Sequence, residues 1–125
     1  MEEAHVLTEA AAEAFAHEWV EAWNAHDLER ILSHWADDCV FSSPFAAQVT
    51  GHATIHGRAA LSSYWSAGLA RSPDLHFDLH TVFLGADSLV LGYRNHRGQD
   101  VAEMIQLGED GLAVRGAAHY SPAAP

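Results

Sequence analysis

Glu103 is the residue of this sequence whose type and surroundings most clearly suggest chemistry. It stands between Ala102 and Met104 in a short apolar run, where strand alternation turns every second side chain toward the protein interior. Burial raises the pKa of a carboxyl group because it penalises the charged form, and a carboxyl group that titrates near neutral pH can donate or relay a proton. Two alternatives stay open, since Glu103 can instead face solvent or pair with an arginine. The candidate arginines are Arg94, Arg97 and Arg115.

Tyr120 and Ser43 carry hydroxyl groups that can hydrogen-bond a carbonyl group beside such an acid. Tyr120 lies on the same side of its predicted strand as Ala118 and Gly116, two small residues that leave room next to the phenol. Ser43 ends the first predicted strand, and its hydroxyl group is too weakly basic to act as a base unaided. If the protein is an enzyme, we predict that Glu103 is the catalytic proton donor or relay, with Tyr120 and Ser43 as its hydrogen-bonding partners.

The four tryptophans of the chain can form either the wall of a ligand cavity or an ordinary core. Indoles offer a broad stacking surface and an N–H donor to a flat apolar ligand. Aromatic residues at helical spacing are nevertheless more often core, so each tryptophan keeps that alternative. The predicted ligand-binding residues are Trp19, Trp23, Trp35, Phe41, Tyr64, Trp65, Ile105 and Ala118.

The ten histidines invite a comparison with metal sites. His52 and His56, and likewise His76 and His80, are four residues apart, which brings two imidazoles together on a helix. The first pair flanks a loop-like segment, and the second lies on a predicted strand, where residues four apart are separated by ~13 Å. We therefore predict no metal site. The chain also contains no glycine-rich phosphate loop or nucleotide fingerprint, so we predict no cofactor.

Composition and charge narrow the classes of partner. Six Lys and Arg against 17 Asp and Glu give a formal net charge of −11, which repels phosphate backbones and anionic lipid surfaces, so we expect no nucleic acid and no membrane partner. No apolar run approaches the length of a membrane span, and the N-terminal residues are acidic where a secretory signal is basic, so we expect a cytoplasmic protein. Cys39 is the sole cysteine, and we predict that it is buried.

Apolar residues at spacings of three and four predict three helices in the N-terminal half of the chain. Thr8 is a candidate N-cap for the first helix, which ends near Asn24. Asp27 is a candidate N-cap for the second helix, which continues through Trp35. The third helix spans residues 58–69.

The rest of the chain is predicted to form strands. A strand at residues 39–43 follows an acidic turn at Asp37 and Asp38, whereas residues 45–56 fit either short strands or an ordered loop over a cavity mouth. Four alternating segments then predict an antiparallel meander, with strands at residues 75–84, 89–95, 101–107 and 112–120. Helices followed by an antiparallel sheet predict an α+β fold. We expect a single domain with a core of about residues 8–120, a loose lead-in before it and a frayed tail after it.

Several of these segments resemble the nuclear transport factor 2-like superfamily, and within it the SnoaL-like group. The resemblance rests on Trp-Asn-Ala-His-Asp-Leu at 23–28, Trp-Ala-Asp-Asp-Cys-Val-Phe at 35–41, Gly57 before the third helix, and Val-Arg-Gly-Ala-Ala-His-Tyr at 114–120. It implies a cone-shaped α+β domain whose curved antiparallel sheet packs on three helices around a pocket for a small apolar or aromatic molecule. Members often dimerise through the sheet, so we expect a homodimer.

The ketosteroid isomerases of this superfamily are similar enough to compare residue by residue. Their hydrogen-bonding tyrosine falls at Trp19, their aspartate base at Ser43, and their protonated aspartate at Glu103. Only Glu103 keeps the required functional group, which argues against steroid isomerisation. Polyketide cyclases of the SnoaL type are understood to use an acidic sheet residue for proton transfer, and the resemblance points Glu103 into the cavity.

Three hypotheses about function stay open at this point, because one scaffold carries many activities. The first is a cofactor-independent isomerase, cyclase or lyase that uses acid/base chemistry on a carbonyl-containing substrate. The second is a non-catalytic protein that binds a small molecule. The third is a protein-interaction module that dimerises through its sheet.

Overall fold

The α+β fold class predicted from the sequence is confirmed by a computed structural model of the protein, which describes residues 6–122. The outermost parts of the predicted lead-in and tail, residues 1–5 and 123–125, lie outside the described residues. The helices are α1 (Glu9–Asn24), α2 (Leu28–Leu32), α3 (Pro44–Thr50) and α4 (Arg58–Arg71). The strands are β1 (Trp35–Ser42), β2 (Thr54–His56), β3 (Asp78–Leu84), β4 (Ser88–Arg94), β5 (Asp100–Leu107) and β6 (Ala113–Tyr120).

The six strands form one sheet in the order β2-β1-β6-β5-β4-β3. The predicted meander is present, since each strand from β3 to β6 pairs antiparallel with the next. The expectation of a purely antiparallel sheet needs one correction, because β1 runs parallel to β6, with Phe41 opposite Gly116. A parallel pair needs a long crossover connection, and residues 43–112 supply it.

Helix α1 presents a stripe of apolar side chains to the sheet. Thr8 caps it as predicted, and its hydroxyl oxygen accepts a hydrogen bond from the backbone N–H of Ala11 at 3.1 Å. Ala16, Trp19 and Trp23 are buried on one side of the helix. Leu7 belongs to the predicted lead-in but is buried against the core. The loose segment before α1 is therefore shorter than predicted.

The second helix is shorter than predicted. Leu28, Ile31 and Trp35 follow a helical period, but α2 ends at Leu32 and Trp35 begins β1. Pairing with β6 replaces a further turn of helix, since the backbone N–H of Ala113 donates a hydrogen bond to the carbonyl oxygen of His34 at 2.8 Å. The predicted acidic turn at residues 37–38 is therefore wrong, and these two residues lie in an irregular part of β1.

Residues 44–50 form a helix, which neither predicted alternative included. Ser43 caps α3 by accepting a hydrogen bond from the N–H of Phe45 at 3.2 Å, and Pro44 occupies the first turn. Gly51 ends the helix with φ of 82°, a left-handed conformation that suits glycine. The short strand β2 follows, and its Ile55 pairs with Phe41 of β1.

Asn24 and His26 hold the segment that precedes β3. The amide of Asn24 accepts from the N–H of Phe77 at 2.8 Å and donates to its carbonyl at 3.0 Å. A ring nitrogen of His26 lies 2.8 Å from the carbonyl oxygen of Leu75. Because these side chains occupy the backbone groups of residues 75–77, β3 begins at Asp78 and not at the predicted position 75.

Two further expectations concern the environment of the chain. Within residues 6–122, no helix has both the length and the apolar character needed to cross a membrane. Location in the cytoplasm stays a prediction. Cys39 is buried in β1, as predicted.

Gly116 provides a test of the packing between β6 and β1. A Cβ atom at this position would lie 2.6 Å from Cη2 of Trp35 and 3.2 Å from Cδ1 of Phe41. Trp35 has no exposed surface and cannot move aside, so we expect Gly116→Ala to lower the free energy of unfolding by about 1–3 kcal/mol in urea denaturation. Unchanged stability would contradict this packing.

Gly68→Ala makes the same chemical change in helix α4 and serves as the matched control. Nothing lies within 4 Å of a Cβ atom at that position. We expect this variant to raise the free energy of unfolding by about 0.5–1 kcal/mol, because glycine is unfavourable inside a helix.

Candidate functional site

A cavity of about 350 Å³ lies between the sheet and the helices, within the size range of small-molecule sites. Helix α1 contributes Trp19 and Trp23, and helix α4 contributes Tyr64 and Trp65. Residues of β1, β4, β5 and β6 line the opposite wall. The cavity is therefore aromatic on its helical side and mixed on its sheet side.

Eight of the eleven predicted site residues line this cavity. They are Ser43, Glu103, Tyr120, Trp19, Trp23, Phe41, Tyr64 and Trp65. The remaining three do not line it, namely Trp35, Ile105 and Ala118.

These three residues lie in the packed core beside the cavity. Ile105 and Ala118 share the inner face of the sheet with Glu103. Ile105 pairs with Gly116, however, and the indole of Trp35 covers that glycine. Trp35 is in turn enclosed by Trp65 and Phe41, with ring centroids at 5.3 Å and 6.0 Å, and has no exposed surface.

Glu103 is the acidic group of the cavity wall. Its exposed fraction is 4%, and the hydroxyl of Tyr93 donates a hydrogen bond to its Oε1 at 2.9 Å. Burial raises the pKa of Glu103 to about 7, although the hydrogen bond from Tyr93 opposes part of this rise. Among the residues described, no arginine approaches Glu103, and Arg94 pairs with Asp100 at 3.2 Å. The alternatives of a solvent-facing or arginine-paired Glu103 are therefore wrong.

Tyr93 is a site residue that the sequence prediction missed. It is buried and lines the cavity, one inward-facing step along β4 from Leu91, which pairs with Glu103. Burial, followed by the negative charge of Glu103, raises the pKa of Tyr93 well above its ordinary value, so the phenol keeps its proton. Its strand parity with Leu89 and Leu91 is the sequence signal that could have identified it.

Tyr120 and Tyr64 offer two more phenols to the cavity. Burial raises the pKa of both, and the negative charge of Glu103 adds to this rise. The ring of Tyr120 meets Phe45 edge-on, with centroids 4.7 Å apart. Ser43 is buried and its Oγ accepts from the N–H of Phe45, so this residue caps a helix as well as lining the cavity. The hydroxyl hydrogens of these residues can therefore serve as donors near Glu103.

Aromatic contacts form a continuous wall beside Glu103. Trp19 stacks on Phe77, with ring centroids 5.6 Å apart and an interplanar angle of 15°. Phe77 in turn contacts Tyr93 at 4.5 Å, and Trp23 meets Trp65 edge-on at 5.1 Å. This wall removes Glu103 from water and provides a surface for a flat ligand.

His119 and Asp37 lie outside the cavity. His119 is exposed on the outer face of the sheet, where its Nδ1 lies 3.1 Å from the carbonyl oxygen of Ala102. Asp37 is exposed and lies 3.6 Å from Nε of Arg58. Over residues 6–122, no group of three or more His, Cys, Asp or Glu side chains is arranged to hold a metal ion.

The profile of the SnoaL-like domain matches residues 16–121 of this chain. The chain belongs to the SnoaL-like family. This match confirms the resemblance to the nuclear transport factor 2-like superfamily that the sequence motifs suggested. Comparison of the chain with curated proteins gives no significant match.

Solved structures with the same fold support this assignment. A SnoaL-like protein of unknown function from Burkholderia thailandensis is 39% identical, with a TM-score of 0.90 over 93% of this chain and 98% of that one. A cystatin-like protein of unknown function from Methylobium petroleophilum is 18% identical, with a TM-score of 0.75 over 95% and 82% of the two chains. A protein from Agrobacterium tumefaciens proposed to be a SnoaL-like isomerase is 16% identical, with a TM-score of 0.72 over 90% and 98%. The last two likenesses show the fold alone.

The buried carboxyl group predicts a pH-dependent stability. Because the pKa of Glu103 rises from 4.5 to about 7 on folding, the folded state holds its proton more tightly, and stability falls as pH rises through this range. We expect the wild type to lose about 3 kcal/mol relative to Glu103→Gln between the two ends of this range. Urea denaturation of both proteins over a pH series measures this difference, and parallel curves would contradict it.

Glu18→Gln is a control of opposite sign. Hydrogen bonds from Arg30 and His34 lower the pKa of Glu18 to about 2, so its contribution is present above pH 4.5 and is lost as pH falls toward 2. We expect this variant to differ from the wild type in its pH dependence only below pH 4.5, where Glu103 is already protonated.

Proposed function

We propose that this SnoaL-like protein binds a small apolar or aromatic molecule in its cavity and catalyses cofactor-independent proton transfer, an isomerisation or cyclisation, on a carbonyl-containing substrate. The observation that carries the proposal is Glu103, a carboxyl group on an aromatic cavity wall with a pKa of about 7. A group with this pKa can both accept and return a proton near neutral pH, which is what general acid/base catalysis requires.

The surrounding phenols suggest how the charge of the reaction would be stabilised. When ionised Glu103 removes a proton from the carbon next to a carbonyl group, negative charge moves to the carbonyl oxygen. Tyr120 and Tyr64 keep their protons and can donate hydrogen bonds to that oxygen. Protonated Glu103 then returns the proton to a different atom of the substrate, and its own charge state is restored. Tyr93 orients the carboxyl group during both steps.

Proton exchange in a bicyclic aromatic ketone tests this proposal. We expect the wild type to accelerate deuterium incorporation beside the carbonyl group of β-tetralone in heavy water, measured by NMR. Glu103→Gln should slow this exchange by about 10²- to 10⁴-fold, because it removes the acid/base group and keeps the side-chain shape. Quenching of tryptophan fluorescence should show that the variant still binds the ketone.

His119→Gln, on the outer face of the sheet, is the matched control and should leave the exchange rate unchanged. Binding of the ketone without any exchange above the solvent rate would contradict the catalytic part of the proposal. That outcome would favour the alternative of a non-catalytic binding protein.

We further propose that the protein forms a homodimer through the outer face of its sheet. The buried core lies on the inner face, where the helices pack, whereas an apolar row crosses four strands on the outer face. This outer row consists of paired neighbours Phe83, Val90, Met104 and Ala117, and the exposed fraction of Phe83 is 60%. Phe83 is exposed and the other three residues are half-buried, and a contiguous apolar row that stays open to solvent is typical of protein interfaces.

A charge placed in this outer row should disrupt the dimer. We expect light scattering to give the mass of two chains for the wild type and of one chain for Met104→Glu, because an unpaired carboxylate is costly to bury in an apolar interface. Ala10→Glu, on the exposed side of α1, adds the same charge elsewhere and should stay dimeric. A monomeric wild type would contradict the proposed interface.

A further inference from the structure

Two arginines lie at the mouth of the cavity in a chain whose net charge is −11. Arg71 and Arg97 both line the cavity and are both exposed. Three of the other arginines pair with carboxylates, namely Arg30, Arg58 and Arg94. Within residues 6–122, neither Arg71 nor Arg97 has a carboxylate within 4.0 Å. Uncompensated positive charge therefore concentrates at the cavity mouth of a strongly acidic protein.

Arg97 is held in place by its neighbours. The side chain of Asn95 is buried, and its Oδ1 accepts hydrogen bonds from the N–H groups of Arg97 and Gln99, both at 3.0 Å. The guanidinium carbon of Arg97 lies 5.4 Å from the centre of the Phe45 ring, which itself contacts Tyr120. The guanidinium group thus rests on an aromatic ring at the rim, where its N–H donors stay available.

The acidic groups near the cavity do not neutralise this rim. Asp74 approaches His96, with 3.9 Å between its Oδ1 and the histidine Nε2. The Nδ1 atom of His96 is buried and, in the described part of the chain, has no hydrogen-bond partner. Glu103 lies on the inner wall and is bonded to Tyr93. The cavity therefore has an acidic inner wall and a cationic mouth.

We infer that the ligand of this cavity is an amphipathic carboxylic acid, with an aromatic or apolar body inside the cavity and its carboxylate at the mouth, bound by Arg71 and Arg97. This inference rests on the binding function proposed above. A guanidinium group binds a carboxylate through two parallel hydrogen bonds, which matches the chemistry of the rim. Like-charge repulsion from Glu103 favours the orientation with the carboxylate outward.

A phosphate group fits this mouth less well than a carboxylate. Phosphates in proteins are commonly bound at helix N-termini or glycine-rich loops. Arg71 is instead the last residue of α4, and the C-terminal end of a helix carries partial negative charge. A single negative charge is therefore better matched to this end of the helix than a dianion.

Calorimetric titration with naphthylacetate and naphthylacetamide tests the inference, because the two probes share a ring and a linker, and only the carboxylate end of the acid is charged. At low ionic strength we expect the wild type to bind the acid about tenfold more tightly than the amide. The net charge of −11 would by itself favour the neutral amide, so a preference for the acid must come from local cations.

Substitutions identify which cations are responsible. Arg71→Gln and Arg97→Gln should each weaken binding of the acid about threefold, so that together they remove the tenfold preference, and should leave binding of the amide unchanged. The double variant should bind both probes equally. Arg115→Gln, at an exposed position paired with Gln106 across the sheet, is the matched control and should behave as the wild type does.

Equal binding of the two probes by the wild type would overturn the inference and leave the proposed binding function intact. Persistence of the preference for the acid in the double variant would also overturn it. If the wild type binds neither probe and does not bind β-tetralone, the proposed function fails and the inference fails with it.

Discussion

The hydrogen bond from Tyr93 to Glu103 is the interaction on which the cavity depends. Burying a carboxyl group costs free energy unless it is neutralised or hydrogen-bonded. Here a single phenol donates to it at 2.9 Å, and burial moves its pKa to about 7. An arginine at the same place would have held the group ionised at every physiological pH. Because Tyr93 is a neutral partner, Glu103 can gain or lose a proton near neutral pH.

The aromatic wall that desolvates Glu103 is fastened by a short polar motif. Asn24 hydrogen-bonds both backbone groups of Phe77, and the Phe77 ring packs against both Trp19 and Tyr93. His26 holds the backbone two residues earlier, at Leu75. The motif at residues 23–28, on which the resemblance partly rested, thus has a structural explanation: it ties the end of α1 to the segment before β3. It contributes to the cavity through the ring that it positions.

Local signals allowed much of the fold to be predicted. Helix α1, helix α4 and the four-strand meander follow from periodicity and turns, which depend on neighbours in the chain. The parallel pairing of β1 with β6 joins distant segments, and no local pattern encodes it. The same pairing ends the helical period before Trp35 and places that indole in the core. Helix α3 does have local signals, with Ser43 and Pro44 at its start and Gly51 at its end.

The site was predictable where strand parity alone determines which way a side chain points. Glu103 and Tyr120 follow this rule, and Tyr93 obeys it equally although it was overlooked. Parity gives the face of the sheet and not the depth, so it cannot separate a cavity wall from the core beside it. That is why Ile105 has the right orientation and yet lies under Trp35 and not in the wall. The pairing of Arg71 with Arg97 at the cavity mouth could not be predicted from local patterns. Arg71 ends α4 and Arg97 lies in the loop after β4, and these two segments meet only in the folded chain.

Several buried polar groups of the described residues have no hydrogen-bond partner, and most of them line the cavity. Within the described residues, the buried indole N–H groups of Trp19, Trp23 and Trp35 and the buried Nδ1 of His96 have no hydrogen-bond partner in the protein. Each costs stability, since buried polar groups are normally satisfied. The apolar packing around them offsets this cost. Trp19, Trp23 and His96 line the cavity, whereas Trp35 lies in the packed core. Because stability alone would favour apolar residues at these positions, the three unpartnered groups around the cavity support the proposed binding function.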